Sequence, residues 1–117
     1  MRSLVTAFAI VLASAAVSAA DFSGTWNVDG DVQGYPVKFA CTLKQAGDAL
    51  SGTATIEGKE IPITGSVKDN TVTFTFDVDY QGTTYTNVYN GKLGDNGALD
   101  GTIEVGGAFG TFAAKKQ

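Results

Sequence analysis

Residues Val72-Thr73-Phe74-Thr75-Phe76-Asp77-Val78-Asp79-Tyr80 alternate without a break, apolar at every second position and polar between. Side chains on a strand point alternately to opposite faces, so this stretch reads as a half-buried strand with one dry and one wet side. The same alternation recurs along the chain in about eight segments, separated by very short turns, and no helical period interrupts them after the first twenty or so residues. A chain of this kind is confined to antiparallel β architecture, because hairpins can be this short and parallel crossovers cannot.

The segments are expected as follows. The first, about Gly24 to Val32, sets Trp26, Val28 and Val32 on one face. After a turn at Gln33-Gly34-Tyr35-Pro36, the second runs from about Val37 to Gln45, with Val37, Phe39, Cys41 and Leu43 inside. The third places Leu50, Ala54 and Ile56 inside, and the fourth Ile61, Ile63 and Val67. Pro62 falls out of phase with that inner face; it has no amide hydrogen to give a ladder, so it predicts a bulge or a locally unpaired stretch. The fifth is the alternating run above. The sixth, about Thr84 to Leu93, puts Tyr85, Asn87 and Tyr89 on one face. Asn96-Gly97 is a tight-turn signal before the seventh, which carries Leu99, Ile103 and Val105; the eighth ends through Phe109, Phe112 and Lys115-Lys116. Eight successive hairpin-linked strands leave two open edges unless the first pairs with the last. The expected fold is therefore all-β, an antiparallel up-and-down (meander) eight-stranded barrel, with a flat meander or a two-sheet sandwich as the less favoured arrangements. A barrel of this strand number is filled by side chains or holds one small ligand.

The first residues read differently. Arg2 precedes an apolar run from Leu4 to Leu12, small residues follow to Ala20, and Val17-Ser18-Ala19 suits a signal peptidase. Residues 1–19 are expected to be a signal peptide and residues 20–117 a single barrel domain, secreted or periplasmic. The apolar run is too short to span a membrane, and no Cys stands at the cleavage point to carry a lipid anchor. A domain of this length buries only roughly 65% of its unfolded surface. Small exported domains often compensate with disulfides, yet Cys41 is the single cysteine. It alternates in phase with Phe39 and Leu43, which predicts a buried, apolar thiol. Loss of Arg2 leaves seven lysines against twelve carboxylates. That acidity argues against nucleic acid or an anionic membrane as a partner.

Glycine recurs in six segments, in Ser23-Gly24-Thr25-Trp26, Ser51-Gly52-Thr53, Thr64-Gly65-Ser66, Asn90-Gly91-Lys92, Asp100-Gly101-Thr102 and Phe109-Gly110-Thr111. Glycine within a strand marks a bend, a bulge or close backbone approach, as crowding at one barrel end would require. These motifs also carry a likeness. With Leu50-Ser51-Gly52-Thr53, Ile63-Thr64-Gly65, Tyr89-Asn90-Gly91 and Gly110-Thr111-Phe112, the chain resembles avidin-type, calycin-like barrels, and more closely a group of uncharacterised secreted bacterial barrel modules. The likeness runs the length of residues 20–117 and implies the barrel without the biotin site. Avidins place polar biotin contacts two and six residues after the first-strand Trp, where this chain has Val28 and Val32; they surround the ligand with several Trp residues, where this chain has Trp26 alone; and Gly110 replaces a polar residue before the final Thr-Phe. The chain is also similar to bacterial periplasmic metalloprotease inhibitors, but those use an N-terminal arm and a disulfide, and here only Ala20-Asp21-Phe22 precedes Ser23-Gly24.

Residues with catalytic chemistry are sparse. The chain has no His, which excludes the usual triads and most zinc sites, and no Ser sits in a nucleophile elbow. The pairs Asp29/Asp31 and Asp77/Asp79 are expected on wet faces; Asp29-Gly30-Asp31 and Asp95-Asn96-Gly97 lack a full set of calcium ligands. No metal, cofactor or catalytic residue is assigned. The unusual inner face is Tyr85-Asn87-Tyr89, an amide between two phenols. Either Asn87 satisfies strand ends or Tyr hydroxyls, or it orients a ligand at a pocket mouth. The candidate ligand-binding residues are Trp26, Phe39, Tyr80, Tyr85, Asn87 and Tyr89, with Tyr35 and Pro36 as a lid. Three readings follow. One is a barrel holding a small apolar or aromatic ligand. Another is a structural or protein-interaction module with a filled core, and the third, least favoured, is a carboxylate hydrolase. Outer faces rich in Thr, Lys and Asp favour a monomer.

Overall fold

The computed structural model describes residues 21–117 and places them in one closed antiparallel barrel of eight strands in sequence order. The expected signal segment and Ala20 lie outside the described residues. The strands are β1 (Gly24–Val32), β2 (Tyr35–Ala46), β3 (Ala49–Ile56), β4 (Lys59–Lys68), β5 (Thr71–Tyr80), β6 (Thr83–Leu93), β7 (Leu99–Val105) and β8 (Ala108–Lys116). Closure comes from β1 pairing with β8, from Trp26↔Lys116 to Val32↔Gly110. The meander barrel is thus the observed fold, and neither the open meander nor the sandwich is.

Short turns set the register. Gln33-Gly34, Glu57-Gly58, Gln81-Gly82 and Gly106-Gly107 all have positive φ at both positions, the backbone that matches strand twist in a two-residue hairpin. The first of these displaces an expectation: Tyr35 and Pro36 are not turn but the start of β2, paired with Val32 and Asp31. The turn expected at Gly94-Asp95-Asn96-Gly97 is present, the Gly97 amide donating to the Gly94 carbonyl at 3.0 Å. It sits in a longer loop between Leu93 and Leu99, in which the Gly94 amide donates to the Ala98 carbonyl at 2.8 Å and the Ala98 amide to Asn96 Oδ1 at 3.1 Å.

The inner face follows the alternation. Val28, Cys41, Leu43, Leu50, Ala54, Ile63, Val72, Phe74, Leu99 and Ile103 are buried, and the intervening Thr, Lys and Asp residues are largely exposed. Inward-facing glycines make the interior fit. A Cβ on Gly52 would overlap the Thr42 carbonyl oxygen, and one on Gly101 that of Asn90. A Cβ on Gly91 would stand 3.0 Å from the Phe112 ring, so the missing side chain is the room the ring occupies. The six repeated glycines do not all crowd one end, however: Gly24, Gly52, Gly65, Gly91 and Gly101 lie toward the end holding the chain termini, and Gly110 lies toward the other.

The two ends differ. At the terminal end the Asp21–Ser23 segment folds across the opening. Phe22 is fully buried, its amide donates to Gln45 Oε1 at 2.8 Å, and its carbonyl accepts the Trp26 indole N–H at 2.9 Å. Lys116 Nζ sits 5.4 Å from the Trp26 ring centroid and donates to the Asp21 carbonyl. Phe22 is therefore a plug, a role its position ahead of β1 did not announce.

Part of the wall is parted. β4 and β5 pair only from Thr64↔Thr75 to Lys68↔Thr71. Beyond that, Lys59–Ile63 stays paired to β3 and Phe76–Tyr80 to β6, but not to each other. Continuing the register would set Pro62 against Asp77 and Glu60 against Asp79. The first pair lacks a donor, and the second opposes like charges. The unpaired stretch expected at Pro62 is present as this slit; its pairing to β3 runs straight through Thr53↔Pro62, without a bulge.

Replacing Phe22 by Ala opens the base of the barrel. Urea unfolding should show a loss of about 3–5 kcal/mol, with Trp26 emission shifted to longer wavelength as water reaches the indole.

Candidate functional site

Tyr89 stands at the middle of the barrel with four aromatic neighbours. Its ring centroid lies 5.1 Å from Phe74, 5.4 Å from Phe76, 5.7 Å from Phe39 and 5.0 Å from Phe112. The Phe74 and Phe76 contacts are stacked and the other two edge-on, the arrangements that ring quadrupoles favour. This knot fills the barrel waist. Above it, at the end formed by the four glycine-containing two-residue turns, the barrel opens into a cup of about 600 Å³.

Phe39, Phe76 and Tyr89 line the bottom of the cup, and Val37, Ile56, Val78 and Val105 line its sides. Asn87 is the amide in the wall, set opposite Phe76 in the β5–β6 register. Tyr35 is 76% exposed, Tyr80 63% and Tyr85 38%, and all three stand at the mouth with Pro36, Glu57 and Lys38. Five of the six candidate residues, Phe39, Tyr80, Tyr85, Asn87 and Tyr89, thus come together in one cavity, with Tyr35 and Pro36 at the rim. Trp26 is the correction. It is buried at the plugged end, its N–H bound to Phe22, and does not line the cup. Trp26 shares the inner face with Val28 and Val32, but β1 enters the barrel from the terminal end, so its first inward residue lies farthest from the mouth.

Asn87 Nδ2 donates to the Tyr85 carbonyl at 3.3 Å and to no Tyr hydroxyl. The side chain is half-buried, and among the described residues nothing bonds its carbonyl oxygen, which leaves an acceptor on the cavity wall. The Tyr89 hydroxyl has no hydrogen-bond partner among the described residues either, although the side chain is only 1% exposed.

Burial sets the two titratable groups of the interior. The Cys41 thiol, free and buried, is pushed up to about 12 from an ordinary value near 9. Burial also raises the Tyr89 phenol, with Cys41 adding to the effect. A thiol so held is protonated at neutral pH and a poor nucleophile. The carboxylates are all exposed. Asp77 and Asp79 accept the hydroxyls of Thr86 and Thr84 at 2.8 and 2.5 Å, and Asp29 lies 3.9 Å from Lys38. The Asp31 carboxylate accepts the Gly34 amide, which fixes the β1–β2 turn. Among the described residues no cluster of three or more His, Cys, Asp or Glu is placed to hold a metal ion. No described helix is long and apolar enough to cross a membrane. The arrangement is an apolar-walled cup with one half-buried amide in its wall and an aromatic rim.

Comparison with known proteins finds no family model that matches the chain and no curated protein significantly similar to it.

Tyr89→Phe removes a buried hydroxyl that has no partner among the described residues. Its stability in urea should be unchanged or up to about 1 kcal/mol higher, and a loss greater than that would show that the hydroxyl is bonded after all. The Cys41 thiol predicts alkaline weakening. Its folded value lies above its unfolded one, so its contribution is whole below about pH 9 and is lost as pH rises toward about 12. Between pH 8 and 10.5 the thiol should cost about 2 kcal/mol of unfolding free energy, and Cys41→Val should fall off less steeply over the same range.

Proposed function

We propose that this chain is an exported, non-catalytic β-barrel that takes a small apolar or aromatic ligand in the open cup. The observation that carries the reading is the cup itself, about 600 Å³ of apolar-walled space with an amide oxygen at its side that nothing among the described residues bonds. Small-molecule pockets have volumes of roughly 300–1,000 Å³ and the same make-up, apolar walls with a few placed polar groups. The N-terminal pattern of residues 1–19 supports export to the periplasm or medium. The likeness to secreted avidin-type barrels supports a carrier without biotin specificity.

A second reading, a protein-interaction module, is favoured by the aromatics the molecule leaves in water. Tyr35 and Tyr80 project at the mouth, and Phe109, 63% exposed, lies outside the barrel on β8. Monomeric proteins seldom gather exposed aromatics at one end without use for them.

Native mass spectrometry of the gently purified protein separates the two. A co-purifying small mass that disappears on denaturation supports the carrier, and a stoichiometric protein adduct supports the module. In vitro, the neutral fluorophore N-phenyl-1-naphthylamine should brighten on binding. Val105→Trp, which fills the cup from its wall, should abolish that signal while leaving the unfolding free energy within about 1 kcal/mol of the parent. Asn87→Leu should weaken uptake more than it weakens folding. An unchanged signal in Val105→Trp would place the fluorophore elsewhere and overturn the reading.

A further inference from the structure

The parted wall between β4 and β5 opens beside the cup. Ile56, Glu57 and Val78 line both spaces. The slit continues along Lys59 and Ile61 on one lip and Asp77 and Asp79 on the other, with Glu60 opposite Asp79 by register. Its charged groups are therefore Glu57, Glu60, Asp77 and Asp79 against Lys59. The Asp77 and Asp79 carboxylates accept hydroxyls from Thr86 and Thr84, which orient them without neutralising them. Lys38, the other cation at the mouth, is paired with Asp29. Tyr80 and Tyr85 sit at the end of the same hairpin and offer ring faces that attract cations.

We propose that the ligand is an aromatic or apolar amine, its body in the cup and its positive group at the slit, among Glu57, Asp77, Asp79 and the rim tyrosines. The inference rests on the cup being the ligand site and adds the charge of what enters it. Glu57, Asp77 and Asp79, with Glu60 beside them, outnumber Lys59 and leave a net negative field at the side entrance. An ammonium group relieves that field, whereas a carboxylate adds to it. A neutral ligand would gain from the cup alone.

Three probes with one aromatic body test this: 1-naphthylmethylamine, 1-naphthalenemethanol and 1-naphthoate, each titrated into the nitrogen-15-labelled protein at neutral pH. Amides of Val78 and Val105 report the cup, and those of Ile61 and Asp77 the slit. The amine should bind about tenfold more tightly than the carboxylate, with the alcohol between, and should shift both sets of amides. Raising the salt to about 0.5 M should shrink the difference. The combined variant Glu57→Gln, Asp77→Asn and Asp79→Asn should bring the amine down to the affinity of the alcohol. Asn keeps an acceptor for each Thr hydroxyl, and Gln already holds the equivalent turn position at Gln33 and Gln81 with the same positive φ. Unchanged affinity for the alcohol shows that the variant's barrel is intact. Equal binding of all three probes in the cup, or preference for the carboxylate, overturns the proposal and leaves the cup as a ligand site. Failure of every probe to shift Val78 and Val105 overturns the cup reading, and the proposal with it.

Discussion

The stacking of Tyr89 against Phe74 and Phe76, with Phe39 and Phe112 edge-on, is the contact on which the rest of the barrel depends. An eight-stranded barrel has an interior just wide enough to need filling, and five aromatic rings fill it at the waist. Rings of that size fit only because facing positions are small. Gly91 makes room for Phe112, and Gly52, Gly65 and Gly101 let neighbouring strands come close enough for their carbonyls to occupy the place of a side chain. The cost is a phenol hydroxyl with no partner among the described residues, on a side chain only 1% exposed. Below the waist the interior is packed by Trp26, Leu43, Leu50, Val72, Leu99 and Phe22, and above it the cup stays open.

Five of the eight strand interfaces pair along the whole of the shorter strand, β1–β8 and β2–β3 fall one or two residues short, and β4–β5 pairs over only half its length. That last gap is written in side chains. Pro62 cannot donate, and Glu60 would meet Asp79 head-on, so extending the β4–β5 ladder past Thr64↔Thr75 gains little and adds repulsion. Lys59–Ile63 and Phe76–Tyr80 keep their strand geometry because each retains its other neighbour. Unpaired strand edges invite association with other chains. Here they are flanked by carboxylates and a proline, features that blunt such an edge.

Strand order, phase and closure were legible in the sequence because each rests on local information, namely period-two alternation and turns too short for anything but hairpins. The pocket was legible in the same way for Phe39, Tyr80, Tyr85, Asn87 and Tyr89, since inward positions on β2, β5 and β6 face a shared interior once the sheet closes. Trp26 was misplaced for a reason that phase cannot supply. Alternation says which face a residue takes but not how far along the barrel it sits, and height depends on which end each strand starts from and on stagger. Phe22 was missed because it precedes the first strand and carries no periodic signal; its burial is decided by Gln45 and Trp26, distant in sequence and near in space. The Gln33–Pro36 turn was read one residue pair too long because proline suggests a break, whereas on this outer position Pro36 pairs with Asp31 without one. The slit was foreshadowed by Pro62 alone; Glu60 and Asp79 matter only once the register is known.

Turn length then explains why one end of the barrel is covered and the other is not. At the terminal end the chain has slack, the Asp21–Ser23 segment before β1 and the loop from Gly94 to Ala98, and it spends part of it folding Phe22 over the opening. At the far end all four connections are two-residue turns with both positions at positive φ, the shortest links two strands can have. Such turns cannot reach across a barrel. Only side chains can shade that mouth, and Tyr35, Tyr80 and Tyr85, long enough to lean over it and exposed, are the ones present. The same tight turns that fix the register therefore deny the cup a backbone lid, so access to it is governed by three phenol rings and by the gap between β4 and β5.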